Sequence, residues 1–302
     1  MTDGNTIQYL TRLQIDTAKW DQCISRASNG RIYAFAVYLD TMSANWDALV
    51  LNDYEAVMPL TWNSKYGIQY LYQPFLAAQL GVFGSEEVEA FIEAIPGHFR
   101  YIDIYLNSAN TNAVKGDDVQ LRDNYVLALH HPYEKLVTDY RENIRRNIKK
   151  AKQAGCIVEK GFEVETVITL ATAQMQLHDK NVEENTGRFR QLYQLLKAVN
   201  KATTYGISLH GEMIASCVFF FSNNRAYYIL VGNHPNGKTI GASHALIDAF
   251  IADHAGQNLL LDFEGSDIRN LAFFYSSFGA TQEIYPALKI NRLPFYLRWL
   301  KK

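Results

Sequence analysis

Between Arg225 and Ala280 the chain sets a glycine-rich turn, a lysine, hydroxyl side chains and five carboxylates among apolar segments. Ala226 to Val231 is an apolar run of strand length, followed by a turn rich in Gly, Pro and Asn. Ala242, Ala245, Leu246, Ala249 and Phe250 then recur at the spacing of a half-buried helix. Leu259 to Phe263 is a second apolar run, and Asn270 to Ser277 a second short helix. Strand, turn, helix and parallel strand make a βαβ unit, whose turn offers backbone N–H groups at a helix N-terminus to an anion. The expected cradle is Lys238, Thr239, Ile240, Gly241, Ala242 and Ser243. Glu264 falls at the C-terminal end of the second strand, the edge where α/β folds bind ligands, and is a candidate general base. Asp262 is expected to cap or orient that loop.

Two patterns compete for the turn. Gly232-Asn-His-Pro-Asn-Gly237-Lys238-Thr239 is a literal GxxxxGK[ST], with an apolar run ending at Asp262 in the place of a second acidic motif. A nucleotide hydrolase needs several further βα units after such a loop, and the chain after Thr239 is too short for them. Asn236-Gly237 after a proline also has a plain backbone account, since tight turns favour these residues. The P-loop hydrolase is retained as the outside alternative.

Lys238-Thr-Ile-Gly241-Ala-Ser243 loosely fits the acyl-CoA turn of the GNAT acyltransferases. Asn270 to Ala280, with Tyr275 four residues before Gly279, resembles the GNAT C-terminal helix. The run from Asp262 to Asp267, followed by Phe274 and Phe278-Gly279-Ala280, is similar to a pattern of the Fem-type branch, which includes peptidoglycan bridge-forming aminoacyltransferases. The charged run Tyr140 to Lys152 resembles the segment that opens the second Fem domain. The resemblance implies tandem GNAT-like domains of α/β class with a mixed sheet. It implies an N-acyltransferase using acetyl-CoA or another acyl-CoA, the alternative donor being aminoacyl-tRNA with a peptidoglycan precursor as acceptor. Tyr275 would protonate the departing thiolate, and a main-chain N–H at the splayed end of the Tyr228–Val231 strand would polarise the acyl carbonyl. Arg145 and Arg146 would face a phosphate-bearing substrate or tRNA. Glu183, Glu184 and Arg188, in a stretch read as a loop between helices, would meet a charged acceptor. His244 is expected to be a packed or exposed helix residue.

The elements that must hold these groups alternate along the chain. Strands are expected at Ile7 to Leu10, Ala48 to Leu51, Glu55 to Trp62, Gln69 to Tyr72 and Tyr101 to Leu106, with helices from Asp16 to Ala27 and Glu86 to Ile95. Asn107 to Asp118 reads as a mobile polar loop. A second cycle follows: a strand at Tyr125 to Leu129, a long helix from Tyr133 to Ala154, a strand from Cys156, two helices, and a meander over Tyr205 to Val231. The order of elements repeats, which divides the chain into residues 1–132 and 133–302, the second carrying the site. On the basic helix, Arg141, Arg145 and Lys149 share one face, and such like charges at i, i+4 cost a few tenths of a kcal/mol per pair, which an anionic ligand relieves. A solvated helix face explains the same run without any ligand.

Composition narrows the classes. The 302 residues are 48% hydrophobic and 20% charged, with a net charge of −2, which leaves no overall basic field for DNA. Three scattered cysteines, Cys23, Cys156 and Cys217, form no metal-ligand spacing and are expected as small buried hydrophobes. No basic segment followed by an apolar core opens the chain and no apolar run is long enough to span a bilayer, so a cytoplasmic protein acting on a small-molecule or cell-wall-precursor amine is expected.

Overall fold

The structure is a computed structural model that describes residues 6–175, 181–265, 267–295 and 297, without the side chains of residues 175, 236 and 238. The chain forms two compact units, Met1–Asp123 with Ile284–Lys302, and Asn124–Glu283.

In the first unit, strands β1 (Ile7–Leu10), β2 (Asn45–Leu51), β3 (Ala56–Lys65), β4 (Ile68–Tyr72) and β5 (Phe99–Tyr105) lie side by side in that order. Helices α1 (Thr17–Arg26), α2 (Ala36–Met42) and α3 (Val88–Glu93) connect them. Asp16 caps α1 by accepting the N–H groups of Ala18 and Lys19. The β3–β4 hairpin turns on Tyr66 and Gly67, both at positive φ as a two-residue turn demands. After β4 the chain crosses through α3, so that β5 runs parallel to β4 while the other pairs are antiparallel. Leu49, Met58, Leu60, Phe91, Phe99 and Ile102 centre its core. The supposed loop after Asn107 is ordered: Ser108–Ala113 is a 3-10 turn, and buried Asn107 donates to the carbonyls of Leu80 and Val82. Polarity there satisfies buried main chain and does not mark solvent exposure.

The second unit repeats this plan. Its elements, from β6 (Val119–Ala128), are α4 (Tyr133–Thr138), α5 (Glu142–Gln153), β7 (Ile157–Lys160), α6 (Val164–Met175) and α7 (Val182–Ala198). There follow β8 (Ala202–Leu209), β9 (Glu212–Ser222), β10 (Arg225–Asn233), α8 (Pro235–Ile240), α9 (Ala242–His254), β11 (Leu260–Asp262) and α10 (Arg269–Ser276), before β12 (Thr281–Asn291). The strand order is β6-β11-β10-β9-β8-β7, with only β10 and β11 parallel. Three antiparallel strands and a helical crossover to a parallel fourth thus occur in both units. The β8–β9 turn (His210, Gly211) and the β9–β10 turn (Asn223, Asn224) again have positive φ. Phe219 and Phe250 stack face to face at 3.7 Å between sheet and α9, in a core with Leu246, Phe263 and Phe278. Each such side chain contributes roughly 1.5–3 kcal/mol on full burial.

Three expectations need correction. The helix expected over Tyr133–Ala154 breaks at Asp139–Arg141. Phe278 packs edge-on against Tyr140 at 5.3 Å, and Arg141 N–H bonds the Ser277 carbonyl. Gly279 lies so close to Asp139 that a Cβ would stand 2.9 Å from its Cβ. The Phe278-Gly279-Ala280 run therefore docks the end of α10 onto the α4–α5 break. Asn181–Arg188 is no loop: helix α7 begins at Val182, favoured by Glu183 and Glu184 in its positive first turn. The glycine-rich turn is not a phosphate loop either, since Gly232 and Asn233 end β10 and Pro235–Ile240 is helical. A Cβ at Gly232 would lie 2.6 Å from Leu170 on α6, and one at Gly237 would overlap the Ile214 carbonyl. Those glycines serve packing, which with the mixed sheet removes the P-loop hydrolase.

Candidate active site

Parallel pairing of β10 with β11 covers Arg225–Tyr227 against Leu260–Asp262 and goes no further. Beyond Tyr227, β10 continues to Asn233 against β9 alone, with a bulge between Tyr228 and Leu230. The two strands part there, and main chain from Tyr228 towards Val231 has lost its neighbour on the β11 side. Bulges of this kind re-aim side chains and end pairing beside functional sites.

The loop closing the opposite side is held by buried charge. Arg225 reaches Asp262 at 2.5 Å and Glu283 at 3.0 Å, all within the second unit. Burial alone would lower the Arg225 pKa; the two carboxylates raise it, and the guanidinium stays charged. Asn124 donates to Asp262 and Glu283, at 3.0 Å each. The free acceptors of this group grip the loop main chain: Asp262 accepts the Glu264 N–H at 2.9 Å and Asn124 the Gly265 N–H at 2.6 Å. Glu264 is thereby fixed at φ +67°, a left-handed conformation that a non-glycine residue holds only when its surroundings impose it. Ser266 of the same run lies outside the described residues.

Tyr275, on α10, stacks on Phe263 at 4.6 Å and is 7% exposed. Burial, with Glu264 nearby, pushes its phenol above the ordinary value, so it is protonated at neutral pH. Tyr228 meets Phe263 edge-on at 6.2 Å, and burial raises its phenol too. Phe263 thus touches the rings of both Tyr275 and Tyr228, with Glu264 near Tyr275, while Val231 lies further along β10, paired with Cys217 of β9.

The Gly241 corner borders the same core. Gly241, at φ +86°, precedes α9, and its missing Cβ would lie 2.5 Å from the Asn147 carbonyl oxygen on α5. Thr239 and Ile240 stand in the last turn of α8, where N–H groups point back along the helix. Gly241 N–H bonds the Gly237 carbonyl at 3.2 Å. Ala242 and Ser243 form the first turn of α9, and the Ser243 hydroxyl donates to Asn233. Lys238 has its main chain in α8, while its side chain lies outside the described residues. His244 packs edge-on to Phe274 at 4.9 Å, its Nδ1 buried without a partner among the described residues, and burial lowers its pKa to about 4.

The remaining candidates stand on α5 and α7. Arg145 donates to the Val137 and Thr138 carbonyls and so caps α4, while Arg146 is exposed on α5. Glu184 and Arg188 pair with each other at 2.7 Å on α7. Asn124, Arg225 and Asn147 escaped the sequence reading. Only Arg225 leaves a trace there, as a charge at the start of a buried strand in register with Asp262. No metal-binding cluster and no helix long and apolar enough to cross a membrane occur among the described residues.

Residues 138–267 match the family described as acetyltransferase (GNAT) domain. No curated protein matches the chain by sequence. Among solved structures, FemX is similar with a TM-score of 0.65 at 12% identity, covering 97% of this chain and 99% of its own. The C-terminal domain of a putative lysylphosphatidylglycerol synthetase from Agrobacterium fabrum gives 0.56 at 12% identity, covering 92% of each chain. A tandem GNAT protein from the clavulanic acid biosynthesis pathway gives 0.52 at 10%, covering 96% and 99%. Residues 138–267 thus match the GNAT acetyltransferase domain, in a chain whose fold is similar to that of FemX and of the tandem GNAT protein.

Proposed function

We propose that the protein is an N-acyltransferase that moves an acyl group from an activated thioester or ester to an acceptor amine. The observation that carries this reading is the parting of β10 from β11 after Tyr227 and Asp262, beside Tyr275 and Glu264. The amine nitrogen attacks the acyl carbon, and the carbonyl electrons move onto oxygen next to the unpaired β10 main chain. Glu264 takes the proton that the nitrogen sheds. As the bond to the leaving sulfur or oxygen breaks, Tyr275 gives that atom its phenolic proton. The proton on Glu264 then returns to the phenolate, and the products are an amide and a thiol or alcohol.

Acyl-CoA is the donor that a GNAT domain implies, and the N–H groups of Ala242 and Ser243 at the start of α9 are what this chain offers its diphosphate. The approach of the Asn147 carbonyl to Gly241 favours a second reading, in which the donor is an ester without a diphosphate gripped at this corner, such as an aminoacyl-tRNA. The likeness to FemX supports a cell-wall-precursor amine as acceptor; a small-molecule amine suits the same chemistry.

Thermal denaturation with acetyl-CoA, and mass-spectrometric detection of amide after incubation with acetyl-CoA or alanyl-tRNA and a set of primary amines, test the reading. A ligand at 100 times its Kd stabilises the fold by about 2.7 kcal/mol. Amide from either donor supports acyl transfer and names the donor. Stabilisation by neither donor, together with no amide, contradicts it.

A further inference from the structure

We propose that Tyr228 is a second catalytic phenol of this site, its hydroxyl donating a hydrogen bond to the acyl carbonyl oxygen while that oxygen gains negative charge. The proposal rests on the acyl-transfer reading and adds a side-chain donor to the main-chain one.

Position is the first ground. Tyr228 is the first residue of β10 past the last pair with β11, Tyr227 and Asp262, and the last before the bulge against β9. It thus stands at the mouth of the opening, on the strand whose freed main chain borders the acyl carbonyl.

The hydroxyl itself is the second ground. Tyr228 is only 4% exposed, packed against Phe219 at 5.5 Å and Phe263 at 6.2 Å, yet its hydroxyl bonds to no described residue. Three other deep tyrosines of this unit spend their hydroxyls on carboxylates, whereas the Tyr193 hydroxyl, away from the strand opening on α7, is buried with no partner among the described residues. Tyr133 and Tyr140 both donate to Asp248, and Tyr205 donates to Asp253. A tyrosine serving only as core packing does the work of a phenylalanine, and its hydroxyl normally finds a partner when buried. Tyr275 shares the trait: it too is buried, and its hydroxyl has no partner among the described residues. Phe263 touches both rings, presenting a face to Tyr275 and meeting Tyr228 edge-on. Two unspent donors therefore flank one aromatic wall at the place where the strands part.

Burial keeps the Tyr228 phenol protonated, with the Cys217 thiol and Tyr275 adding to the same effect. It can give a hydrogen bond but does not surrender its proton. The division of labour follows: Tyr275 transfers a proton to the leaving atom, and Tyr228 stabilises charge on the carbonyl oxygen and is unchanged by the cycle.

The test compares Tyr228→Phe and Tyr275→Phe with the unaltered protein in the amide-forming assay, with thermal denaturation of each. Tyr228→Phe should keep its melting temperature and its donor KM and lose about 10²-fold in kcat, the usual effect of removing one such donor. Replacing Tyr228 by 3-fluorotyrosine, which keeps shape and hydroxyl, should retain turnover even if the Phe variant folds poorly. Loss of turnover in Tyr275→Phe with none in Tyr228→Phe overturns the role of Tyr228 and leaves acyl transfer standing. Full turnover in both variants overturns the roles of both phenols, and no amide from the unaltered protein overturns the acyl-transfer reading itself.

Discussion

The carbonyl of Asn147 closes on Gly241 so tightly that a methyl group at Gly241 would stand 2.5 Å from its oxygen. This glycine lets helix α5 lie against the start of α9, and its φ of +86° adds a second demand for glycine. Gly241→Ala should therefore destabilise the fold by roughly 2–4 kcal/mol, from left-handed strain and overpacking together. Chemical denaturation reads this directly. A loss below about 0.5 kcal/mol means that α5 yields freely and the corner is open to a ligand.

A second prediction concerns the charge group beneath the loop. Arg225 lies within ion-pair distance of both Asp262 and Glu283. Arg225→Met leaves two largely buried carboxylates facing each other. A loss of about 3–5 kcal/mol is expected, as for the breaking of a buried ion pair. Asp262→Asn should cost less stability, because an amide oxygen can still accept the Glu264 N–H. Equal losses in the two variants contradict the anchoring role given to Asp262.

The strands and helices around this site were legible in the sequence, and what was missed has physical causes. Apolar runs flanked by turn residues located β10, β11 and the helix between them, because periodicity and burial are encoded locally. Pro235 and Gly237 read as a turn, yet Pro is well suited to the first position of a helix, and α8 forms there. The glycines at 232 and 237 were matched to a motif, although their cause is the passage of α6 and the Ile214 carbonyl, which no local pattern reveals. Asn124 lies 138 residues from Asp262 and no spacing rule connects them. The strand over Thr281–Asn291 went unread, with Pro286 inside it breaking the usual strand signature.

A third prediction follows from His244. Burial lowers its pKa from 6.5 to about 4, so the folded protein disfavours the charged ring. The unfolded chain binds the extra proton between those values, and stability is full above about pH 6.5 and falls as pH drops towards 4. His244→Phe should remove this part of the slope in urea titrations between pH 7 and pH 4. An unaltered slope in the variant contradicts the assignment.

The most direct test of the account is the turnover of Tyr275→Phe. Its ring stacks on Phe263 and its hydroxyl bonds no described residue, so the variant should fold with its stability changed by less than about 0.5 kcal/mol. Loss of the proton donor should lower kcat by about 10²–10⁴ while the donor KM moves only a few-fold. A folded Tyr275→Phe protein that turns over within twofold of the unaltered enzyme contradicts the account.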